Sequence, residues 1–372
     1  MLEHSLPLLL RHDAALSPST PSLIPSPPFP PPSTLSLPQT QQWIVDHLIK
    51  HNQDEGGAEQ WRKGFWKRVV KGIEEGFEER RKDGDENVED EEVHPDILER
   101  MVELLSSSPA LAGAPGVSTR TYYWGELDDE PGKWQSVRTR EEGRMISGGT
   151  TGLRTWQACI ALSNHLIAFP SILTSSSTIL ELGAGIGLLS LVAARLSYSI
   201  GSDEQKTRIV ATDVDEKVLE MLEGNIEQNG FSSMVRTSKL DWEMASTGAE
   251  GEVALAQWER GTFGGAGRAG LVIGADIVYD PTLTGHLAAT LAYLLHPRPS
   301  SSSTASPSTS QALIAGTIRN ASTWALFLSE CRSRALSVEE VDLLVPPRKS
   351  GIVGAEGWEG EGEVKLVRIT AA

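Results

Sequence analysis

Seven consecutive residues, Glu181-Leu182-Gly183-Ala184-Gly185-Ile186-Gly187, carry the clearest chemical signal in the sequence. They follow a short apolar run, Thr178–Leu182, and precede a helical pattern at Leu188–Leu196. Glycines after a strand permit a tight turn and let a ligand approach the backbone, while the amides of the next helix face it. Every dinucleotide-binding fold shares that arrangement. Here the spacing is G-x-G-x-G with an acid ahead of it, whereas nicotinamide enzymes use G-x-G-x-x-G. A second acid, Asp213, ends the next apolar run, where a carboxylate can accept from both hydroxyls of a ribose. Leu240-Asp241-Trp242 follows the third strand and offers an acid for an exocyclic amine and a ring for stacking. The fourth strand ends in Gly274-Ala275-Asp276-Ile277-Val278-Tyr279, a D-x-x-Y pattern. Together these residues imply a nucleoside-bearing cofactor laid across the carboxyl ends of strands, with Asp276 at one of them. The bland alternatives are ordinary glycine turns, a Trp242 that packs at the domain edge, and an Asp276 that caps the following helix. Asp280-Pro281 suits that cap better, and Asn225 is assigned to a helix surface.

Alternating strands and helices must position these groups. Strands are expected at Thr178–Leu182, Arg208–Thr212, Leu271–Ala275, Ala312–Gly316, near Val338–Leu344 and at Glu363–Ile369. Helices are expected at Leu188–Leu196, Glu216–Asn229, Pro281–Leu295 and Ser322–Arg334. Repeated β-α-β units with continuous apolar strands predict a parallel sheet covered on both faces. A polar loop at 199–207 delays Asp213, and the serine-rich run 299–310 reads as an insertion. Upstream, residues 1–39 read as a proline- and serine-rich arm, since proline fixes φ and lacks a donor. Residues 40–108 read as a small helical domain. Trp43, Ile44, His47 and Leu48 share one helical face, as do Phe65, Val69, Ile73 and Phe77. After an acidic loop at 83–92, Pro95-Asp96 opens a helix with Ile97, Leu98, Met101, Leu104 and Leu105 inward. A Gly/Pro/Ser break at 106–118 then leads into a catalytic domain over 119–372.

The chain holds 50 acidic and 33 basic residues, a formal charge of -17. Phosphate backbones bind clustered Lys and Arg, so the charge disfavours nucleic acid as a substrate class. A basic protein partner fits better, although acidity also simply confers solubility. The two cysteines, Cys159 and Cys331, make neither a disulfide framework nor a metal site, and both read as small core residues of a protein in a reducing compartment. No apolar run is long enough to span a membrane, and the apolar patch Leu6–Leu10 has no basic leader. A cytoplasmic monomer is the expectation.

The resemblance becomes specific around Ile146-Ser147-Gly148-Gly149-Thr150-Thr151-Gly152-Leu153-Arg154-Thr155-Trp156-Gln157-Ala158 and the D-x-x-Y strand end. Together these resemble the seven-β-strand protein-lysine methyltransferases that act on non-histone proteins. The Gly-Thr-Thr-Gly-Leu-x-Thr-Trp block, with Thr317-Ile318-Arg319-Asn320, is similar to the elongation factor 2 lysine methyltransferase branch, which also has a helical N-terminal region. The likeness covers about residues 120–345. It implies an α/β, Rossmann-like seven-stranded class I methyltransferase sheet with a small N-terminal helical domain, and S-adenosylmethionine as cofactor. It further implies cofactor contacts from Trp156, Glu181, Gly183, Ala184, Gly185, Asp213, Asp241, Trp242 and Ala275. Asp276 and Tyr279 would border the lysine channel.

The chemistry asks for few groups: a neutral amine aligned behind the S–CH3 bond and stripped of water. A free lysine, with a pKa of about 10.4, must first lose its proton. Asp276 would orient the incoming ammonium and Tyr279 close the channel wall. No general base is assigned. The motif differs from the Asn/Asp-Pro-Pro-Tyr type that methylates amide and adenine nitrogens. The competing readings are a small-molecule methyltransferase, a non-catalytic module that binds the same cofactor, and a nicotinamide oxidoreductase, which the glycine spacing disfavours.

Overall fold

The computed structural model describes residues 5–16, 29–50, 58–106, 116–142, 151–174, 176–200, 207–263, 268–297, 310–343, 350–353 and 362–372. Ile146–Thr150, most of the 199–207 loop and the serine-rich run through residue 309 lie outside the described residues. Contacts divide the chain into two compact units, one spanning residues up to Gln135 and one holding nearly all of 146–372.

The first unit contains α1 (Ser5–Ala14), α2 (Pro32–Leu35), α3 (Pro38–Ile44), α4 (Glu59–Lys82) and α5 (Pro95–Ser106). Strands β1 (Val117–Trp124) and β2 (Gln135–Glu142) follow as a two-stranded sheet. Pro32 and Pro38 stand in first helical turns, where a missing N–H leaves no bond unmade. Ile44, Leu48, Phe65, Val69, Ile73 and Phe77 are buried in one cluster, as their 3.6-residue spacing requires. Leu9, Leu10 and Leu35 join that cluster, so the segment expected to be an irregular arm contributes helices and core. Its Arg11 is fully buried, with its guanidinium over the Trp134 ring at 4.1 Å and donating to the Gly125 carbonyl at 2.7 Å. Burial pulls the pKa of Arg11 down to about 10. On α5 only part of the expectation holds. Ile97 and Leu104 face the core, while Leu98 and Leu105 sit on the outer side, one residue step of about 100° away. The first unit also takes in β1, which the sequence boundaries assigned to the catalytic domain.

The second unit opens with α6 (Gln157–Ala168) and the short α7 (Ser171–Thr174). It continues through β3 (Thr178–Leu182), α8 (Leu188–Ile200), β4 (Arg208–Asp213), α9 (Glu216–Gln228), β5 (Val235–Lys239), α10 (Ala249–Phe263) and β6 (Leu271–Ala275). It ends with α11 (Thr284–Leu295), β7 (Gln311–Thr317), α12 (Ala321–Ser333), β8 (Leu336–Val341) and β9 (Val364–Ala371). The sheet has seven strands in the order β5-β4-β3-β6-β7-β9-β8. This is the expected α/β architecture. One correction applies: the sheet is mixed, because β9 runs antiparallel to both β7 and β8.

Every residue of β3 is buried, as are Ile209–Thr212 of β4 and Leu271–Gly274 of β6, which explains their uninterrupted apolar patterns. β3 pairs with β4 on one side and β6 on the other. The chain leaves these strands in opposite directions, and a crevice opens at that switch point beyond their carboxyl ends. Helix α11 starts at Thr284, later than expected, because the Asp280 carboxylate accepts from Thr282 N at 2.8 Å and Thr282 Oγ1 at 2.7 Å and turns the chain first.

Candidate functional site

At the switch point lies a cleft of about 510 Å³. All of the site residues singled out from the sequence line it, from Trp156 and Glu181 through Tyr279. Its floor is the glycine turn. Gly183, Gly185 and Gly187 all have positive φ, at 61°, 53° and 91°. A Cβ on Gly183 would stand 2.6 Å from Ile277 Cγ2, and one on Gly185 would stand 3.0 Å from the Gly152 carbonyl oxygen. Only glycine fits either place, and the backbone therefore faces the cleft bare.

Asp213 ends β4 beside this turn. Its Oδ1 accepts from Val214 N at 2.8 Å and Asp215 N at 3.1 Å, and its Oδ2 accepts from Gly185 N at 3.1 Å. Burial pushes its pKa up, against the pull of those amides. A carboxylate has about four acceptor sites, so Oδ2 is the oxygen with capacity left for a ribose hydroxyl. The carboxylate of Asp241 accepts from Glu243 N at 2.9 Å, which starts the short 3-10 turn that carries Trp242. A Cβ added to Gly183 would stand 3.5 Å from the Trp242 ring, which sets the indole beside the glycine turn.

Glu181, in the middle of the buried strand end, is almost without solvent contact, and Ser190 Oγ donates to its Oε2. Burial pushes its pKa up to about 8, from an ordinary value of 4.5. The folded state therefore binds a proton that the unfolded chain has lost between pH 4.5 and 8, and stability falls as pH rises through that window. Glu181→Gln is expected to flatten this part of the melting-temperature profile and to exceed the wild type in melting temperature at pH 8. A variant whose slope from pH 5 to 8 matches the wild type would refute a buried neutral carboxyl.

Asp276 follows β6 and is built into the wall of the cleft. It has a φ of 54°, and its side chain is 5% exposed. Its Oδ2 accepts from Ala158 N at 2.9 Å and Thr317 Oγ1 at 3.0 Å, and its Oδ1 accepts from Thr317 N at 2.9 Å. Arg319 stands 3.5 Å from Oδ1. The carboxylate caps a helix, as one reading of the sequence allowed, but the helix is α6 rather than the one that follows. Three hydrogen bonds and the Arg319 ion pair tie the carboxylate into the wall of the cleft, between α6 and the end of β7. Tyr279, by contrast, is 57% exposed at the rim. Burial, Asp213 and Asp280 all raise its pKa, so its hydroxyl stays protonated.

Several cleft residues went unnoticed or misread in the sequence. Trp156 Nε1 donates to the Thr151 carbonyl at 3.0 Å, and its ring lies near two guanidiniums, Arg154 at 5.1 Å and Arg319 at 5.0 Å. Arg154 lines the cleft as well. Cys159 lines it too and is half-buried rather than core. Asn225 is fully buried, not on a helix surface, and its Nδ2 donates to the Ile186 carbonyl at 2.9 Å, which braces the glycine turn from behind.

Comparison with known proteins decides what family this cleft serves. The lysine methyltransferase family profile matches residues 141–308. The protein-lysine N-methyltransferase EFM3 of Chaetomium thermophilum is 32% identical over 269 residues, which cover 70% of this chain and 72% of that one. The chain belongs to the lysine methyltransferase family. The protein-lysine N-methyltransferase EEF2KMT of Homo sapiens is 32% identical over 202 residues, 52% of this chain and 54% of that one. EFM3 of Saccharomyces cerevisiae is 27% identical over 298 residues, 77% and 73% of the two chains. This lysine methyltransferase is an enzyme that uses S-adenosylmethionine as methyl donor. The cleft suits that group: bare glycine backbone, an acid at the end of β4, and two indole rings, in a volume within the usual range for ligand sites. Among the described residues no helix is long and apolar enough to cross a membrane, and no His/Cys/Asp/Glu group could hold a metal ion.

Proposed function

We propose that this enzyme methylates a lysine of translation elongation factor 2 in the cytoplasm, acting as a monomer and not on nucleic acid. The observation that carries the substrate class is the lining of the cleft. Its carboxyl groups, together with the exposed Tyr279 at the rim, suit a cationic side chain entering from outside. A charge of -17 on the whole chain favours a basic protein segment over an anionic substrate. The choice of elongation factor 2 is supported by the Gly-Thr-Thr-Gly-Leu-x-Thr-Trp resemblance and by a relative that bears the name EEF2KMT.

Gly183, Ala184 and Gly185 would hold the cofactor along their backbone, with Asp213 at a ribose hydroxyl. Asp241 and Trp242 would meet the adenine, and Trp156, Glu181 and Ala275 would complete the walls. When bound, S-adenosylmethionine supplies a methyl group made electrophilic by its sulfonium. The protein has to admit a lysine, strip its water and hold its nitrogen in line. Within the cleft the amine is stripped of water, which disfavours the ammonium and eases loss of its proton to water. Glu181, neutral and bonded to Ser190, adds no second negative charge beside Asp213. Asp276 acts through position, by fixing the N-terminus of α6 and the end of β7.

Radiolabelled methyl transfer from S-adenosylmethionine to a cell lysate and to purified elongation factor 2 tests this reading. One labelled band of elongation factor 2 mass is expected, and it is expected to be lost with Asp213→Ala. Label on a different protein would remove elongation factor 2 and keep the lysine activity. Cofactor binding with no labelled protein at all would sink the protein substrate.

A further inference from the structure

Among the described residues that line the cleft, six bear a carboxyl group, Glu181, Asp213, Asp215, Asp241, Glu243 and Asp276, and a single side chain is cationic, Arg154. S-adenosylmethionine is lopsided in the opposite sense. Its sulfonium and α-ammonium suit acidic walls, but its carboxylate does not. A carboxylate brought out of water among other carboxyl groups is strongly disfavoured unless a cation faces it. We propose that Arg154 is that cation and anchors the carboxylate of the cofactor through charge-assisted hydrogen bonds. The inference rests on the placement of S-adenosylmethionine in this cleft.

The fold puts Arg154 at the right end. The groups suited to adenosine, Asp213, Asp241 and Trp242, come from β4 and the turn after β5, on one side of β3. The chain just before α6 is tied to the other side, because Asp276 after β6 accepts from Ala158 N and from Thr317 at the end of β7. Arg154 stands in that segment, two residues ahead of Trp156. A cofactor with its adenosine toward β4 and β5 directs its amino-acid end toward β6, where Arg154 lines the wall. The guanidinium carbon lies 5.1 Å from the centre of the Trp156 ring. Stacking on an indole restrains the planar guanidinium, so less freedom is lost when it grips a carboxylate with two parallel N–H groups. The other guanidinium at that ring, Arg319, is paired with Asp276 at 3.5 Å. A lysine at position 154 would keep the charge and lose both the stack and the fork.

Calorimetric titration of the full-length protein with two ligands tests this without turnover. One ligand is S-adenosylhomocysteine. The other is its decarboxylated analogue, 5′-deoxy-5′-(3-aminopropylthio)adenosine. The wild type is expected to prefer the carboxylated ligand by about 10- to 100-fold, the yield of one good charge-assisted contact. Arg154→Gln is expected to bind S-adenosylhomocysteine more weakly by most of that factor and the decarboxylated analogue as the wild type does. Arg154→Lys should recover part of the preference. A glutamine variant that keeps the wild-type preference overturns the proposal, and so does one that weakens both ligands equally, since that is the mark of a merely structural role. A wild type that binds neither ligand overturns the placement of the cofactor, and the inference with it. Melting temperatures of the variants show whether each one is folded.

Discussion

Asp276→Ala is expected to lower the unfolding free energy by about 2–4 kcal/mol, chiefly through the buried hydrogen bonds that lose their acceptor. The substitution leaves Ala158 N, Thr317 N, Thr317 Oγ1 and the Arg319 guanidinium without the oxygens they now face. Each buried polar group that loses its partner costs about 1–3 kcal/mol, and solvent that reaches Arg319 recovers part of the loss. A second cost comes from the backbone. At φ 54° an aspartate is accommodated more readily than an alanine, which pays up to about 1–2 kcal/mol for the left-handed conformation. Asp276→Asn keeps an acceptor for Thr317 N but turns an NH2 group toward another donor, so it should fall between the two. Urea unfolding and titration with S-adenosylhomocysteine check the prediction, which couples lost stability to weakened cofactor binding through the loosened entry to α6. An alanine variant as stable as the wild type, with full cofactor affinity and no turnover, would return Asp276 to a direct role at the substrate amine.

Gly183→Ala is expected to weaken S-adenosylhomocysteine binding by a factor of about 100 or more, since two walls of the site must shift to admit one methyl group. The added Cβ would stand 2.6 Å from Ile277 Cγ2 and 3.5 Å from the Trp242 ring. Ile277 is only 4% exposed and has little room to yield, so the displacement passes to the turn itself and to the stacking ring. Gly248→Ala is the control. Gly248 has nearly the same φ, 63°, but nothing lies within 4 Å of the added atom. Both variants carry a backbone cost of about 1 kcal/mol, and only the first should lose affinity. If both bind like the wild type, the glycine turn does not carry the cofactor.

Comparison of these two sites shows where sequence suffices. The glycine turn is local. Its strand, glycines and helix are contiguous, so apolar runs and spacing place Thr178–Leu182 and Gly183–Gly187 without any tertiary knowledge. Asp213, Leu271–Ala275 and the end of β7 follow from the same continuous burial. Asp276 is the opposite case. Its partners are Ala158, 118 positions earlier, and Thr317, 41 positions later, and no local pattern encodes either bond. Asn225 misled for a related reason, since an amide on an amphipathic helix reads as surface until the Ile186 carbonyl is seen beneath it. The ribbon β1–β2 and helix α10 went unread because partly buried, polar-rich elements give weak periodicity. Strand direction was also beyond reach, because β9, with Leu366, Val367 and Ile369 buried among Lys365, Arg368 and Thr370, reads as a strand without indicating which way it runs.

The position of β9 bears on how the polypeptide folds as it is made. β9 comes from residues 364–371 yet lies inside the sheet, with β7 on one side and β8 on the other. During synthesis β8 emerges first, and its neighbour in the finished sheet does not yet exist. Until residue 371 has left the ribosome, β7 presents an open edge and β8 has no ladder to join, and such edges invite pairing with other chains. The sheet is therefore completed from the inside by its latest-made strand, after translation has passed every residue of the cleft. Nascent chains that stall after residue 341 would carry the whole glycine turn and the Asp276 wall, but on a sheet that is still unsealed.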